Sequence, residues 1–184
     1  MTLDSEFLRT APRPDPRRIQ ATRDLLARHG LDAGPDAVFD EICDRLAEES
    51  GFAWAMVDFH LDEQRFAGLH NPPPERGLPQ VDRAMDISHG WCPHVVSRRL
   101  GLPLHNVHAS RLYSGNPVTD AIGINAYFGE PLIYPGTGAV LGTVCIIDQD
   151  IRPLADADRY MGMVERATAE TMHSILSRPV RTRP

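Results

Sequence analysis

The sequence predicts an α+β fold, in which an antiparallel central sheet of about five or six strands has N- and C-terminal helices on one face and a loop and short-helix lid over a pocket on the other. Amphipathic helical patterns lie near both ends of the chain. The strand patterns between them come as hairpin-joined pairs, which is the connectivity of antiparallel sheets. The long segment 70–123 must then cover the second face, and a cover of loops and short helices tends to leave a cavity.

An arm and two helices begin the chain. Residues 1–16 carry prolines among charged side chains without periodicity, so we expect a disordered arm. Apolar residues at helical spacing predict a first helix over residues 17–29, with Gly30 as its C-terminal stop. A second helix opens at Pro35 and ends at Gly51, and two neighbouring apolar stripes give it a wide apolar face.

Two hairpins and a last helix are predicted around the lid. Aromatic and branched residues over 52–60 and 64–69 flank a polar turn and predict the first hairpin. Strand patterns over 124–134 and 139–148 flank Pro-Gly-Thr-Gly, which is the strongest hairpin signal in the chain. The apolar pattern over 156–177 predicts a long C-terminal helix.

The segment between the hairpins is expected to be irregular. Prolines and a glycine over 71–79 predict a surface loop. We expect a short strand from Ile87, a short helix over 92–99 and another short strand over 102–107. Ser-Gly-Asn-Pro within residues 108–120 predicts turns there.

The expected organisation is a single domain. With its flanking helices it covers residues 17–177, and its core covers about 35–177. A loose basic tail follows over 178–184. No internal repeat is visible in the sequence.

Charge and composition exclude several classes of function. All 19 basic residues are arginine, which excludes enzymes that need a Schiff-base lysine or the lysine of a phosphate loop. The formal net charge of −6 argues against a nucleic-acid partner, because phosphate binding needs a basic face. The apolar stretches are too short to span a membrane, and the N-terminus lacks the apolar region of a signal peptide. We therefore expect a cytoplasmic protein without a nucleic-acid or membrane partner.

The three cysteines are Cys43, Cys92 and Cys145. Their odd number and wide spacing match neither a disulfide framework nor a zinc site, so reduced thiols are expected. We expect Cys92 and Cys145 to be buried core thiols.

Two stretches near the C-terminus are similar to those of a known family. Gly-Thr-Val-Cys-Ile-Ile-Asp at 142–148, followed by Arg-Pro-Leu at 152–154, closely resembles the last strand of GAF domains and its entry into the final helix. Gly-Asn-Pro-Val at 115–118 and the pattern over 124–132 resemble the turn and the strand before it. With the short helix described next, the resemblance covers about residues 35–177.

The resemblance continues at Cys92, His94 and the Pro-Leu pair at 103–104, which look like the short helix and next strand of the family. It implies a GAF fold that serves as a small-molecule-sensing or protein-interaction module. The chain departs from the family where His108 precedes alanine and where Asn-Ala-Tyr at 125–127 replaces the Arg-Phe-Tyr of many relatives. Both segments border the ligand pocket in the family, so the ligand of a relative cannot be transferred.

Aromatic and polar residues of the lid and the following strand are the candidate site. Four histidines lie within 20 residues of one another: His89, His94, His105 and His108. Together with Cys92 they could form a metal or haem site, but their spacing fits no known ligand pattern. We therefore interpret them as polar residues on a pocket rim, with no metal and no cofactor that can be named. The candidate ligand-binding residues are Trp91, Cys92, His94, His105, His108, Tyr113, Asn116, Asn125 and Tyr127.

We expect a stand-alone GAF protein that binds a small, unidentified ligand as a sensor in cytoplasmic signalling, and that is not an enzyme. Ligand occupancy would bias the packing of the terminal helices. Three alternatives stay open: an interaction or dimerisation module without a ligand, a metal- or haem-binding sensor, and an enzyme similar to free methionine sulfoxide reductase. The expected partners are a second copy, through helices 17–29 and 156–177, and a separate signalling protein.

Overall fold

A six-stranded antiparallel sheet organises the protein, with helices on one face and an irregular lid on the other. The computed structural model describes residues 14–180. Residues 1–13 of the predicted arm and 181–184 of the predicted tail lie outside this range. The predicted α+β fold is confirmed.

The helices and strands follow the predicted order. The helices are α1 (Pro16–Arg28), α2 (Ala37–Ser50), α3 (Cys92–Arg98), α4 (Pro117–Ile122) and α5 (Ala157–Leu176). The strands are β1 (Trp54–His60), β2 (Gln64–His70), β3 (Ala84–Met85), β4 (Leu102–Leu104), β5 (Ala126–Ile133) and β6 (Val140–Asp148). Short 3₁₀ turns lie at Pro74–Arg76, Val107–Ala109 and Leu154–Asp156.

The strand order across the sheet is β3-β2-β1-β6-β5-β4. Every neighbouring pair is antiparallel, and both predicted hairpins, β1–β2 and β5–β6, are present. Pairing of β1 with β6 joins the two hairpins into one sheet. The N-terminal half of the chain therefore supplies one side of the sheet and the C-terminal half the other.

Side-chain caps define where the first two helices begin. The Asp15 carboxylate accepts a hydrogen bond of 2.9 Å from the backbone N–H of Arg17, and Asp36 caps α2 in the same way. Gly51 ends α2 with a φ of 70°, which is the left-handed conformation that glycine adopts without strain. The predicted boundaries of both helices are close to the observed ones.

Helices α2 and α5 cover one face of the sheet and enclose the larger hydrophobic core. Tyr160 on α5 packs edge-on against Phe52 and lies 5.3 Å, between ring centroids, from Phe128 on β5. A Cβ atom at Gly68 would lie 2.6 Å from the carbonyl oxygen of Phe39, so α2 approaches β2 as closely as it does only because glycine stands there.

The apolar stripe of α5 also faces this core. Val164 and Ile175 are fully buried, and Met161 and Met172 pack against the same cluster while partly exposed. These residues belong to the helix 156–177 that the sequence suggested as part of a contact with a second copy. Within one chain, the stripe already packs against the sheet.

The Arg-Pro-Leu motif after β6 fixes the entry into α5. The Arg152 guanidinium donates to the Asp148 carboxylate at 2.7 Å and stacks 4.3 Å over the Phe52 ring. Asp148 also accepts a 2.9 Å hydrogen bond from the backbone N–H of Ala53. These contacts hold β6, the start of β1 and the loop before α5 together. The motif therefore stabilises the fold.

The start of the predicted loose tail is held in place. Arg178 forms an ion pair of 2.7 Å with Asp36 and lies 5.2 Å from the ring centroid of Phe39. The end of α5 is therefore attached to the beginning of α2.

Two expectations for the lid were wrong. Ile87 lies in a turn rather than a strand, because the Asp86 side chain accepts from the backbone N–H of Ser88 and closes an Asx turn around it. Residues 117–122 form helix α4 rather than turns, because Asn116 caps the helix and Pro117 occupies its first position. The observed edge strand β3 lies at 84–85 instead.

Over residues 14–180, no helix combines the length and the apolar character needed to cross a bilayer.

Candidate functional site

A small cavity lies between the sheet and the lid. Its volume is about 40 Å³. One water molecule needs roughly 10–15 Å³ of such volume, so the cavity has room for about three waters. Pockets for drug-sized ligands are about 300–1,000 Å³. The cavity surface is almost entirely apolar, and its lining residues are Met56, Phe66, Val81, Met85, Gly90, Trp91, Cys92, Val118, Ile122, Tyr127, Cys145 and Ile147.

The floor of the cavity comes from the central strands. Met56 on β1 and Cys145 on β6 are direct cross-strand partners, and Tyr127 projects from the neighbouring strand β5. Successive side chains of a strand point to opposite faces, so these residues face the lid while Val57 and Val144 enter the core under the helices.

Two thiols, a thioether and a phenol meet at this floor. The Sγ atoms of Cys92 and Cys145 are 3.7 Å apart, and the Cys145 Sγ lies 3.9 Å from the Sδ of Met56. The Tyr127 hydroxyl donates to the Cys92 Sγ at 3.5 Å. Cys92 enters from the lid, where it begins α3, whereas the other three residues belong to the sheet.

Burial favours the neutral forms of Cys145 and Tyr127 at this floor. The hydrogen bond with Cys92, together with burial, raises the pKa of the Cys145 thiol well above its usual value. Burial raises the pKa of Tyr127 well above its usual value as well. A neutral thiol is a poor nucleophile, so Cys145 is unreactive at physiological pH in this arrangement.

Two hydrogen bonds between the Asn116 side chain and the Gly90 backbone join two segments of the lid, and we call this pair of bonds the latch. The Asn116 side chain accepts from the backbone N–H of Gly90 at 3.0 Å and donates to the Gly90 carbonyl at 2.7 Å. The same Asn116 oxygen caps α4 through the N–H of Val118. Gly90 has a φ of 72°, a conformation that glycine adopts without strain. One side chain thus joins the two halves of the lid next to the cavity.

A second contact between the lid segments lies beside the latch. The indole N–H of Trp91 donates to the Tyr113 carbonyl at 3.1 Å, and the Trp91 ring packs 5.5 Å from that of Tyr127. The Tyr113 hydroxyl accepts from Arg98 at the end of α3. Trp91 is therefore both a wall of the cavity and a part of the lid.

Trp91, Cys92 and Tyr127 are the predicted site residues that line the cavity. Asn116 lies at its edge through the latch with Gly90, and Tyr113 lies behind Trp91.

The predicted histidines and Asn125 serve other contacts. His94 packs edge-on against Tyr113, and burial lowers its pKa. The Nδ1 of His105 donates to the Arg152 carbonyl at 3.1 Å. The Nε2 of His108 hydrogen-bonds the Asn125 carbonyl oxygen at 2.8 Å, and the Asn125 amide donates to the Gln149 carbonyl.

Among residues 14–180, no three or more His, Cys, Asp or Glu side chains cluster closely enough to hold a metal ion.

Sequence reasoning missed Met56 and Cys145 as parts of the cavity. Both could have been found from the alternation of side chains along the two central strands, once β1 and β6 are paired. The pairing of distant strands is a property of the whole fold, which a local pattern does not contain. Missed lid residues, such as Val118, belong to the helix α4 that was predicted as turns.

A buried polar group lies further along the same central strands. Asp58 is fully buried opposite Thr143, and His60 is buried opposite Gln64. In the described part of the chain, both Asp58 carboxylate oxygens, the Thr143 hydroxyl and the His60 Nδ1 have no hydrogen-bond partner. The His60 Nδ1 lies 3.6 Å from the Asp58 Oδ2. Burial raises the pKa of the Asp58 carboxyl, which favours its neutral form.

Comparison with known families identifies this arrangement. A model described as the GAF domain matches residues 34–170. No curated protein sequence matches the chain significantly.

Several solved structures, two of them described as GAF domains, have the same fold. The blue-light absorbing form of the PixJ GAF domain from Thermosynechococcus elongatus is 12% identical, with a TM-score of 0.57, covering 84% of this chain and 90% of that one. The GAF domain of the phosphoenolpyruvate-protein phosphotransferase from Acinetobacter is 12% identical, with a TM-score of 0.55, covering 89% and 95%. The type II free methionine-R-sulfoxide reductase from Thermoplasma acidophilum is 12% identical, with a TM-score of 0.56, covering 90% and 99%. At such identities the likeness concerns the fold.

Proposed function

The chain belongs to the GAF domain family, and on that premise we propose that it is a sensor module that binds a small ligand in the cavity under its lid. The observation that carries this proposal is the cavity itself, which is apolar and lies between the sheet and the lid. Ligand sites of proteins are typically concave and mostly apolar.

The ligand must be small and largely apolar, and its entry requires the lid to move. The cavity of about 40 Å³ is smaller than the apolar cavity of about 150 Å³ that binds benzene in another protein, so even a single ring fits only once the lid moves. The latch between Asn116 and Gly90 holds the two lid segments together through a single side chain. Breaking those two hydrogen bonds, together with the Trp91–Tyr113 hydrogen bond beside them, would let the segments separate and enlarge the cavity.

The output of the sensor is proposed to be the packing of α5. Tyr127 faces the cavity, whereas the next residue on β5, Phe128, faces α5 and contacts Tyr160. A ligand that displaces Tyr127 would shift β5 and hence the ring contacts of Phe128. The ligand would shift the equilibrium between two arrangements of α5 only if it binds one arrangement more tightly than the other.

Dimerisation through the terminal helices stays part of the proposal. Val164 and Ile175 are already buried within one chain, so contacts between copies would use other side chains of α1 and α5. A cytoplasmic partner in signalling would then read the state of these helices.

Benzene binding tests the cavity. Apolar cavities in proteins bind benzene, so benzene should raise the thermal unfolding midpoint, whereas benzoate, a charged molecule of similar size, should not. The variant Val118→Phe should abolish the benzene effect, because Val118 lines the cavity and a larger side chain fills it. Val38→Phe is the matched control, since Val38 is exposed on α2. An equal benzene effect in both variants would contradict the proposed site.

A reductase reaction is the second candidate. A structural neighbour is a free methionine-R-sulfoxide reductase, and Cys92 and Cys145 are close enough to meet. The neutral state of Cys145 opposes this reaction, because nucleophilic attack needs a thiolate. We expect no turnover of free methionine sulfoxide with a dithiol reductant; turnover that is lost in Cys92→Ser would assign the reductase function instead.

A further inference from the structure

Three sulfur atoms converge at the floor of the cavity. The Cys145 Sγ lies 3.7 Å from the Cys92 Sγ and 3.9 Å from the Met56 Sδ. All three side chains line the same cavity and are buried from solvent.

Both sulfur separations suit a single metal ion. Any two sulfur ligands of a planar three-coordinate site with metal–sulfur bonds of about 2.3 Å stand about 4 Å apart, and the two separations from the Cys145 sulfur can be compared with this value. The two distances of 3.7 and 3.9 Å come close to this value. A disulfide would instead require the two Sγ atoms to approach to about 2.05 Å.

The donor set selects the class of metal. Thiolate and thioether ligands prefer soft ions such as Cu(I). Structural zinc is almost always held by four ligands from Cys, His and carboxylates. No set of three such residues assembles in the described chain. The thioether of Met56 therefore favours a soft ion such as Cu(I) over zinc.

From these contacts we propose that Met56, Cys92 and Cys145 form a binding site for a soft monovalent metal ion of the Cu(I) class. The proposal goes beyond the proposed function and names a metal ligand for the same cavity. It does not depend on benzene binding, so the metal and benzene experiments can fail separately.

Metal binding exchanges protons for the ion. Each copper–cysteine bond forms as an S–H bond breaks, and the proton is released to solvent, with no change of oxidation state. The Tyr127 hydroxyl donates to the Cys92 sulfur and would stabilise its charge once it is a thiolate. Because each cysteine must lose its proton to bind the ion, affinity should increase as the pH rises.

Anaerobic titration with Cu(I) tests the site. Reduced protein, held against a competing Cu(I) chelator, should bind one equivalent, seen as added mass by native mass spectrometry and as thiolate-to-copper absorption. Ag(I), which does not change oxidation state here, serves as a second probe. Weaker binding at lower pH is expected for both ions; pH-independent binding would argue against thiolate ligands.

Four variants locate the bound ion. Cys145→Ala and Cys92→Ala should lose the bound equivalent. Met56→Leu, which conserves side-chain volume, should weaken binding at least about tenfold, since losing even an outer contact of a metal site costs that much. Cys43→Ala is the matched control, because Cys43 is buried in the core under the helices and should leave binding unchanged.

Circular dichroism confirms that each variant is folded before titration. Binding by Met56→Leu at the strength of the natural chain, or equal loss in Cys43→Ala and Cys145→Ala, would overturn the proposal. Absence of binding with an intact benzene effect would overturn the metal site and leave the proposed function standing. Absence of both would contradict both.

Discussion

Asp58 illustrates how single residues next to the cavity are placed at a cost to stability. Its carboxyl group is fully buried on the central strand, and neither oxygen has a hydrogen-bond partner in the described structure. An unpartnered buried polar group destabilises a protein by about 1–3 kcal/mol. Arg18 and His60 lie near enough to favour the charged form, but burial has the larger effect and raises the pKa of the carboxyl.

The variant Asp58→Asn should become more stable relative to the natural chain as the pH rises. Because the carboxyl has a higher pKa in the folded than in the unfolded state, its protonated form favours folding at low pH. That advantage is lost as the pH rises from about 4, the unfolded pKa, to the folded pKa. The asparagine side chain does not titrate, and the difference grows by about 1.4 kcal/mol for each unit of the raised pKa.

Urea unfolding at pH 4 and pH 7.5 measures this difference. Asp24→Asn is the control, because Asp24 is exposed on α1. Asp58→Asn and the natural chain should differ in unfolding free energy by unequal amounts at the two pH values. An equal difference at both would contradict the raised pKa of Asp58.

At the scale of elements, the lid decides access to the cavity. Its two halves are joined by Asn116 and Gly90, and its beginning is fixed to α2 by a two-pronged ion pair between Arg83 and Asp40, with both distances 2.9 Å. Bidentate pairs of this kind are geometrically specific. The lid is therefore anchored at its start, and its two segments are joined by the Asn116 latch and by the Trp91–Tyr113 hydrogen bond.

Asn116→Ala should loosen the lid. Loss of the α4 cap and both latch bonds should lower the unfolding free energy by about 1–2 kcal/mol. Cys92 should then react faster with a thiol reagent, with the labelled residue identified by mass spectrometry. Asn106→Ala is the control, because Asn106 also caps a short helical turn through the N–H of His108 but is not part of the latch. Equal Cys92 labelling in the two variants would exclude the latch role.

Elements with a regular pattern were predictable, and the lid was not. The periodicity of α2 and the Pro-Gly-Thr-Gly turn predict their structures from neighbouring residues alone, and both predictions were confirmed. In the lid, side chains such as Asn116 and Asp86 set the backbone through single hydrogen bonds. The Asn-Pro pair before α4 fits either a turn or a capped helix, and packing of Val118 against the cavity decides for the helix.

The site shows the same limit. Trp91, Cys92 and Tyr127 were predicted because the family resemblance and their aromatic or thiol character pointed to them. Met56 and Cys145 complete the floor through the pairing of β1 with β6, whose residues lie far apart in the sequence. Their proximity depends on the closed sheet, so no local pattern could show it.

For the molecule as a whole, the sheet separates a sensing face from an output face. The cavity and the buried Asp58 group lie on the lid side, whereas α2 and α5 pack on the other side and are joined by an ion pair between Arg45 and Glu170. Strand β5 contributes side chains to both faces, with Tyr127 on one and Phe128 on the other. A change under the lid can thus reach α5 through one strand.

Amide hydrogen exchange, with and without saturating benzene, tests the sensor claim most directly. We predict that benzene slows exchange in both the lid and α5, and that Val118→Phe shows neither change. Slower exchange in the lid with an unchanged α5 would contradict the proposed output, and unchanged exchange in both would contradict the account of the cavity as a sensing site.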